Sequence, residues 1–461
     1  MRGARPVRVT RALLALVTLV AALAVNAGGA GVAAGQEVDP FGDFTAVTPA
    51  RILDTRSGLG HGGAAGPIGP GGTYDVQVAG AGGVPATGVQ AVVLNVTAVT
   101  PTAPSYLTVW PTGLARPEVS NLNFVAGQTV PNAVTVALGG GGMLSVFNSS
   151  GAAHVLFDVV GYYADGTGPA GSRFFGLANT RLIDTRVGTG VPAGPVPSGG
   201  TMTYTAAGNG GVPAGATAVV MNVTVTQPSS GGWLTVYPAG VARPEASSLN
   251  FVPGQTVANL VTVGLSAGGQ VSFFNANGAT HVIADVVGYY RTGVTTEEGR
   301  FVALPPYRVM DTRLYPPPFG PDEVWSLPIA GFEYIPPVGA SAVVTNVTAT
   351  QPTESGWLTV YPNDGCDPPN ASTLNFTPGQ TVPNMTITRL ATVGGCDIEY
   401  PGSMLFYNPF GYTHALVDVF GAFTDATVYA PAVAEAAPSA DGPAESRSAA
   451  PQTPAPRRID R

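Results

Sequence analysis

The string HVLFDVVGYY, residues 154–163, returns as HVIADVVGYY at 281–290 and as HALVDVFGAF at 414–423. Working back from each copy, the same signals recur in the same order. RILDTR (51–56) is matched by RLIDTR (181–186) and RVMDTR (308–313). Asn95, Asn222 and Asn346 open three NVT triplets, 127 and 124 residues apart. YLTVWP (106–111) pairs with WLTVYP at 233–238 and 357–362, and SNLNF (120–124) with SSLNF (247–251) and STLNF (372–376). GQTVPN, GQTVAN and GQTVPN begin at 127, 254 and 379. A period near 127 exceeds the roughly 20–50 residues of a solenoid repeat and fits a whole domain. The spacing predicts three tandem homologous domains, 41–165, 172–292 and 299–425, joined by the short linkers ADGTGPAGS (164–172) and RTGVTTEEG (291–299).

Within a copy every signal is β. In the first, strands are expected at 44–54, 73–79, 90–99, 105–110, 120–125, 133–138, 143–148 and 153–163. They are rich in Val, Thr, Leu and aromatics and are parted by GPGG, GGVPATG, PTAPS and GGGG. No window outside the N-terminus carries a 3.6-residue period. About eight short strands in some 120 residues predict an all-β chain of three β-sandwich domains, jelly-roll or immunoglobulin-like.

The chain ends read differently. Arg2, Arg5, Arg8 and Arg11 precede ALLALVTLVAALAV (12–25), and small residues follow, with cleavage sites after Ala27 or Ala34. That is the layout of a secretory signal peptide, 1–34; fourteen residues fall short of the about 20 a spanning helix needs. Residues 426–461 are rich in Ala, Pro and Ser, predicting a disordered tail. The 20 basic residues are all Arg, against 28 Asp and Glu. Without the four leader arginines the balance is 16 against 28, a net charge of −12, which argues against nucleic acid or an anionic membrane as partner. Charged residues make up 10% of the chain, well under the usual quarter. The two cysteines, Cys366 and Cys396, predict one disulfide in an exported chain.

The recurring polar residues have two readings. Alternation along YLTVWP sends Leu107 and Val109 one way and Tyr106, Thr108 and Trp110 the other. Trp233 and Tyr237, then Trp357 and Tyr361, repeat this stripe, and exposed rings beside hydroxyls suit stacking on sugars. The plainer reading is that the rings cover an edge, pack under a loop or join domains. The charged residues predict a brace. Arg56 shares a strand face with Asp54, and Arg51 lies opposite. Asp158 in the closing strand would supply the carboxylate of a bidentate Arg–Asp pair joining first and last strands. The same set recurs as Arg181, Asp184, Arg186 and Asp285, and as Arg308, Asp311, Arg313 and Asp418.

Catalysis is poorly served. His154 and Asp158 share a face, but a metal needs further ligands and His61 has no counterpart in the later copies. No G-x-S-x-G elbow is present. A glycosidase pair of Asp54 and Asp158 has the right residue types but no long loop to form a cleft. The NVT asparagines are expected to hydrogen-bond a neighbouring loop rather than carry glycans. No cofactor and no metal is expected. The third copy departs from the others: YPNDGCDPPNAST replaces YPAGVARPEASS, ATVGGCDIEYPGSM is longer than GLSAGGQVS, and GAF replaces GYY.

Taken together, R-[IL]-[IL]-DTR, NVT, [YW]-LTV-[YW]-P, S-x-LNF, GQTV-x-N and H-V-x-x-DVVGYY resemble a repeat of secreted and cell-surface proteins of high-GC Gram-positive bacteria. The resemblance covers nearly all of 44–424. It implies an exported β-rich module and assigns no activity or binding residues. The reading is a secreted or cell-surface, non-enzymatic attachment protein with glycan or cell-wall polysaccharide as ligand. The alternatives are a structural spacer or coat without a small ligand, and a carboxylate-dependent glycoside hydrolase.

Overall fold

The computed structural model describes residues 41–168, 170–315, 317–391, 395–427 and 456–459. The expected signal peptide and most of the expected tail lie outside the described residues. The first repeat holds β1 (Phe41–Gly42), β2 (Phe44–Asp54), β3 (Gly72–Gln77), β4 (Val89–Val99), β5 (Ser105–Pro111), β6 (Leu122–Phe124), β7 (Val130–Ala137), β8 (Met143–Asn148) and β9 (His154–Ala164). The second holds β10 (Arg173–Asp184), β11 (Thr201–Thr205), β12 (Ala216–Thr226), β13 (Gly232–Pro238), β14 (Leu249–Phe251), β15 (Val257–Gly264), β16 (Gln270–Asn275) and β17 (His281–Arg291). The third holds β18 (Phe301–Asp311), β19 (Glu323–Pro328), β20 (Ala340–Thr350), β21 (Gly356–Pro362), β22 (Leu374–Phe376), β23 (Val382–Arg389), β24 (Ser403–Asn408) and β25 (His414–Thr424). β26 (Arg457–Ile459) comes last.

Each repeat makes two antiparallel four-stranded sheets. In the first their orders are β2-β9-β4-β7 and β3-β8-β5-β6, and the other repeats follow suit. The third repeat adds β1 beside β18 and β26 beside β19. The all-β expectation therefore holds, but three tandem sandwich domains are not what the chain builds. The six sheets are arranged as a six-bladed β-propeller, and the described residues fall in one compact unit. The sandwich reading came from a real feature. The two sheets of one repeat share a core of Leu53, Val92, Leu94, Val109, Val146 and Phe157. What it missed is the opposite face. β4 is buried from Ala91 through Ala98 without interruption, whereas a strand of a free-standing sandwich shows water on alternate residues. The extra buried face belongs to a second core shared by all three repeats, with Val93, Val220 and Val344 among its members.

At one end of that shared core sits a rosette of six rings. Phe44, Phe174 and Phe301 come from the first strand of each repeat, and Tyr163, Tyr290 and Phe423 from the closing strand. Each phenylalanine of a first strand stacks on a closing-strand ring of another repeat: Phe44 on Tyr290 at 4.1 Å, Phe301 on Tyr163 at 4.2 Å and Phe174 on Phe423 at 4.3 Å. The glycine of DVVGYY makes room for this. A Cβ on Gly161 would stand 2.4 Å from the Phe44 ring, and Gly288 and Gly421 meet Phe174 and Phe301 in the same way. Just before these phenylalanines, Asp43 pairs with Arg173 at 2.7 Å and faces Arg300 at 3.4 Å. β1 pairs with β18, Phe41 opposite Val302, so the start of the first repeat is stitched to the third.

The tail expectation needs one correction. Residues 457–459 are ordered as β26, paired antiparallel to β19 with Trp325 opposite Arg458.

Candidate functional site

The charged cluster of RILDTR is an internal brace whose pairing differs from simple alternation. β2 and β9 are neighbours, with Arg51 opposite Asp158. The register shifts between Arg51 and Leu53, a one-residue bulge that brings Arg51 and Asp54 to the same side. The partner of Asp158 is thus Arg51 and not Arg56: Arg51 Nε and Nη2 donate to its two oxygens at 2.8 and 3.0 Å. Arg56 instead closes onto Asp54 at 2.9 and 2.6 Å. The second and third copies repeat both pairs, Arg181 on Asp285 and Arg308 on Asp418, Arg186 on Asp184 and Arg313 on Asp311. Asp158 has no exposed surface. Burial pushes its carboxyl up, and the Arg51 bonds only partly offset this. The Arg56 fork holds the carboxyl of Asp54 below its ordinary value, against the opposing effect of burial. The threonine and histidine of the motifs meet as well: Thr55 Oγ1 lies 3.1 Å from His154 Nδ1 and accepts the Val155 N–H at 3.0 Å. The pair Asp54 and Asp158 is spent on guanidinium groups. Among the described residues no three His, Cys, Asp or Glu side chains cluster as metal ligands.

The asparagines bind repeats to one another, which the sequence reading missed. Asn259 Nδ2 donates to Asn95 Oδ1 at 2.9 Å, Asn384 to Asn222 at 2.8 Å, and Asn132 to Asn346 at 2.9 Å. The same three GQTV-x-N side chains accept backbone N–H groups across the junctions. Ala133 donates to Asn259, Leu260 to Asn384 and Met385 to Asn132, at 3.0–3.1 Å. The NVT asparagines add Asn95 to the Ser247 carbonyl, Asn222 to Ser372 and Asn346 to Ser120. The circuit runs once around the three repeats and closes. Its members are buried, so an NVT asparagine is not available for glycosylation. The clue in the sequence was two asparagines per copy in otherwise apolar strands, since buried amides need partners.

The aromatic stripe divides. Trp110, Tyr237 and Tyr361 are buried; the Trp110 indole N–H donates to the Leu114 carbonyl at 3.0 Å, because the loop after the strand folds back over the ring. Tyr106 and Trp357 are half-buried, and Trp233 is 40% exposed. The central threonine, expected beside the rings, donates inward: Thr108 to Val119, Thr235 to Ala246 and Thr359 to Ala371.

Trp357 lines an open groove of ≈ 1030 Å³ formed mainly by the second and third repeats, with Val125 and Gln128 of the first also lining it. Arg181 and Arg186 enter from one side and Asn375 and Gln380 from the other, with Gln255 and Thr224 also lining it. The Thr224 hydroxyl is buried with no hydrogen-bond partner among the described residues. The Asn circuit relates the three junctions by approximate threefold symmetry. Trp233 and Tyr106 are the counterparts of Trp357 in the other two copies.

In the third repeat Cys366 and Cys396 form the disulfide, tying the loop after β21 to the loop before β24. The Tyr361 hydroxyl donates to the Cys366 carbonyl at 3.2 Å. No helix among the described residues is long and apolar enough to cross a membrane.

No protein-family model matches the chain, and no curated protein matches it. A solved chain of Sulfolobus turreted icosahedral virus is similar over 84% of this chain and 92% of its own, at 11% identity and a TM-score of 0.18. A second, from an archaeal virus with a triple jelly-roll fold and turret assembly, is similar over 83% and 91%, at 10% identity and a TM-score of 0.18. At that score neither likeness carries an argument.

Proposed function

We propose that this is an exported, non-enzymatic attachment protein of the cell surface, and that the junction groove holds a glycan or cell-wall polysaccharide. The groove of Trp357, Arg186, Asn375 and Gln380 carries the reading. An indole face can stack on a sugar ring, and amide and guanidinium groups match its hydroxyls. Among the described residues no carboxylate lines it, so a neutral or acidic polymer fits better than a cationic one. Export rests on the leader pattern and on the resemblance to secreted tandem modules.

The spacer reading has an observation of its own. The asparagine, glycine and tyrosine signals go into joining repeats, and the Asp–Thr–Arg set braces each repeat, leaving few repeated residues for a ligand. Calorimetric titration of the protein with purified cell-wall polysaccharide and with peptidoglycan separates the two. Saturable binding is expected, weakened roughly tenfold by Trp357→Ala, the loss of about 1.4 kcal/mol of stacking. Heat at dilution levels only, with both polymers, leaves the spacer.

A further inference from the structure

The third repeat differs from its siblings at scattered positions, and these differences converge on β26. In the ladders of the outer sheets, Val324 stands where the first two repeats have Thr73 and Thr201, and Leu405 where they have Ser145 and Ser272. At these two positions the outer face is apolar in the third repeat alone, and Ile459 packs on Val324, Tyr361 and Leu405 there. Glu323 replaces glycine, Gly72 in the first copy, and pairs with Arg458 at 2.8 Å. The longer loop before β24 brings Asp397 and Glu399, both of which bond Arg457. Arg457 also lies over the Tyr400 ring, 5.1 Å from its centroid. The disulfide anchors the same loop: Cys396 is part of this patch. Asp397 is held ready by the Ser326 hydroxyl and the Tyr400 N–H.

A body surface so built recognises an extended peptide of sequence Arg-Arg-apolar by strand addition, with main-chain pairing for affinity and side-chain pockets for choice. The occupant itself is short: three residues paired along β19, and the Arg458 side chain is well exposed. Exposed ion pairs of this kind are worth little individually. Residues 428–455 separate β26 from the body, a contour of roughly 100 Å at full extension. A segment of that length spans the distance to its own molecule or to a neighbour with identical contacts. Which occurs depends on protein concentration against the millimolar-scale effective concentration of the tethered strand.

We propose that the edge of β19 is a strand-acceptor site through which the C-terminal strand of one molecule joins the third repeat of a second copy, linking molecules head to tail. The test mixes two full-length variants. One has a disabled strand (Arg457→Ala with Ile459→Asp). The other has a disabled acceptor carrying first-repeat residues (Glu323→Gly, Val324→Thr and Leu405→Ser). Neither can pair with itself, but the open acceptor of the first fits the strand of the second. Sedimentation should show each alone as a monomer and the mixture as a 1:1 complex, dissolved by excess peptide of residues 454–461. Matching circular dichroism spectra establish that both fold. As a second acceptor variant, Asp397→Asn keeps the shape of the loop and should give the same complementation. A mixture that stays monomeric at millimolar concentration, or association of either variant alone, overturns the proposal.

Discussion

The two polar and aromatic assemblies that join the repeats obey different rules. The asparagine circuit keeps the threefold pattern: every copy supplies the same two amides, the NVT amide donating to the next copy and the GQTV-x-N amide to the preceding one. The aromatic rosette is not. It mixes Tyr163 and Tyr290, which share one hydrogen bond of 2.7 Å, with Phe423, which has no hydroxyl. Asp43, Arg173 and Arg300 beside it break the symmetry again. The lesson is about partners. A buried amide that loses one strands a donor or acceptor at a cost of about 1–3 kcal/mol, so each member constrains the others. A ring needs only shape, and phenylalanine supplies nearly the shape of tyrosine.

That contrast ranks the mutations. Asn259→Ala is expected to cost most, because it strands the Ala133 N–H, the Asn95 side-chain oxygen and the Ser248 carbonyl together. A loss of about 3–9 kcal/mol is expected from three such groups, read by denaturant unfolding. A cost below that of a surface substitution would mean the circuit is incidental. Next is the brace within a repeat. Arg181→Ala leaves Asp285 buried without its fork, an expected loss of about 3–5 kcal/mol. Gly288→Ala pushes a methyl into the Phe174 ring, with about 1–3 kcal/mol expected from overpacking. Tyr290→Phe should cost about 1–3 kcal/mol, because it leaves the single buried hydroxyl of Tyr163 without its partner. An effect as large as that of Asn259→Ala would erase the distinction between the two assemblies.

Acid sharpens the picture of the brace. Asp184 is held below the ordinary aspartate value of 3.8, chiefly by the Arg186 fork. A carboxyl lowered on folding contributes stability that is complete above its unfolded value and is lost as the pH falls through the folded one. The stability gap between the wild type and Asp184→Asn should therefore be flat near neutrality and close below about pH 3.8. Asp158, Asp285 and Asp418, raised by burial, act in the opposite sense, so wild-type stability alone does not isolate the effect. A gap that persists unchanged under acid would contradict the lowered value.

The sequence revealed the repeats, the strands and the pairing of first strand with last. It also carried the disulfide, because two cysteines appear only where one copy departs from the others. The propeller was hidden for a physical reason. Alternation reports which residues are buried, not what buries them, so Val93 facing another repeat reads like Leu94 facing its own sheet partner. The unbroken burial along VQAVVLNVTAV was the available hint. The bulge at Ile52 was not legible either, since a one-residue shift leaves no compositional trace, and it brought Arg51, expected on the opposite face, to the side of Asp54. The groove at Trp357 joins residues about 170 positions apart and depends on how repeats meet, which no single copy encodes.

The central claim is that three copies fold as one body closed by the asparagine circuit. Differential scanning calorimetry tests it most directly. One shared core predicts a single transition whose van't Hoff enthalpy equals the calorimetric enthalpy, and Asn259→Ala should lower that ratio by uncoupling a junction. A wild-type ratio near one third, the mark of three domains melting separately, would contradict the account.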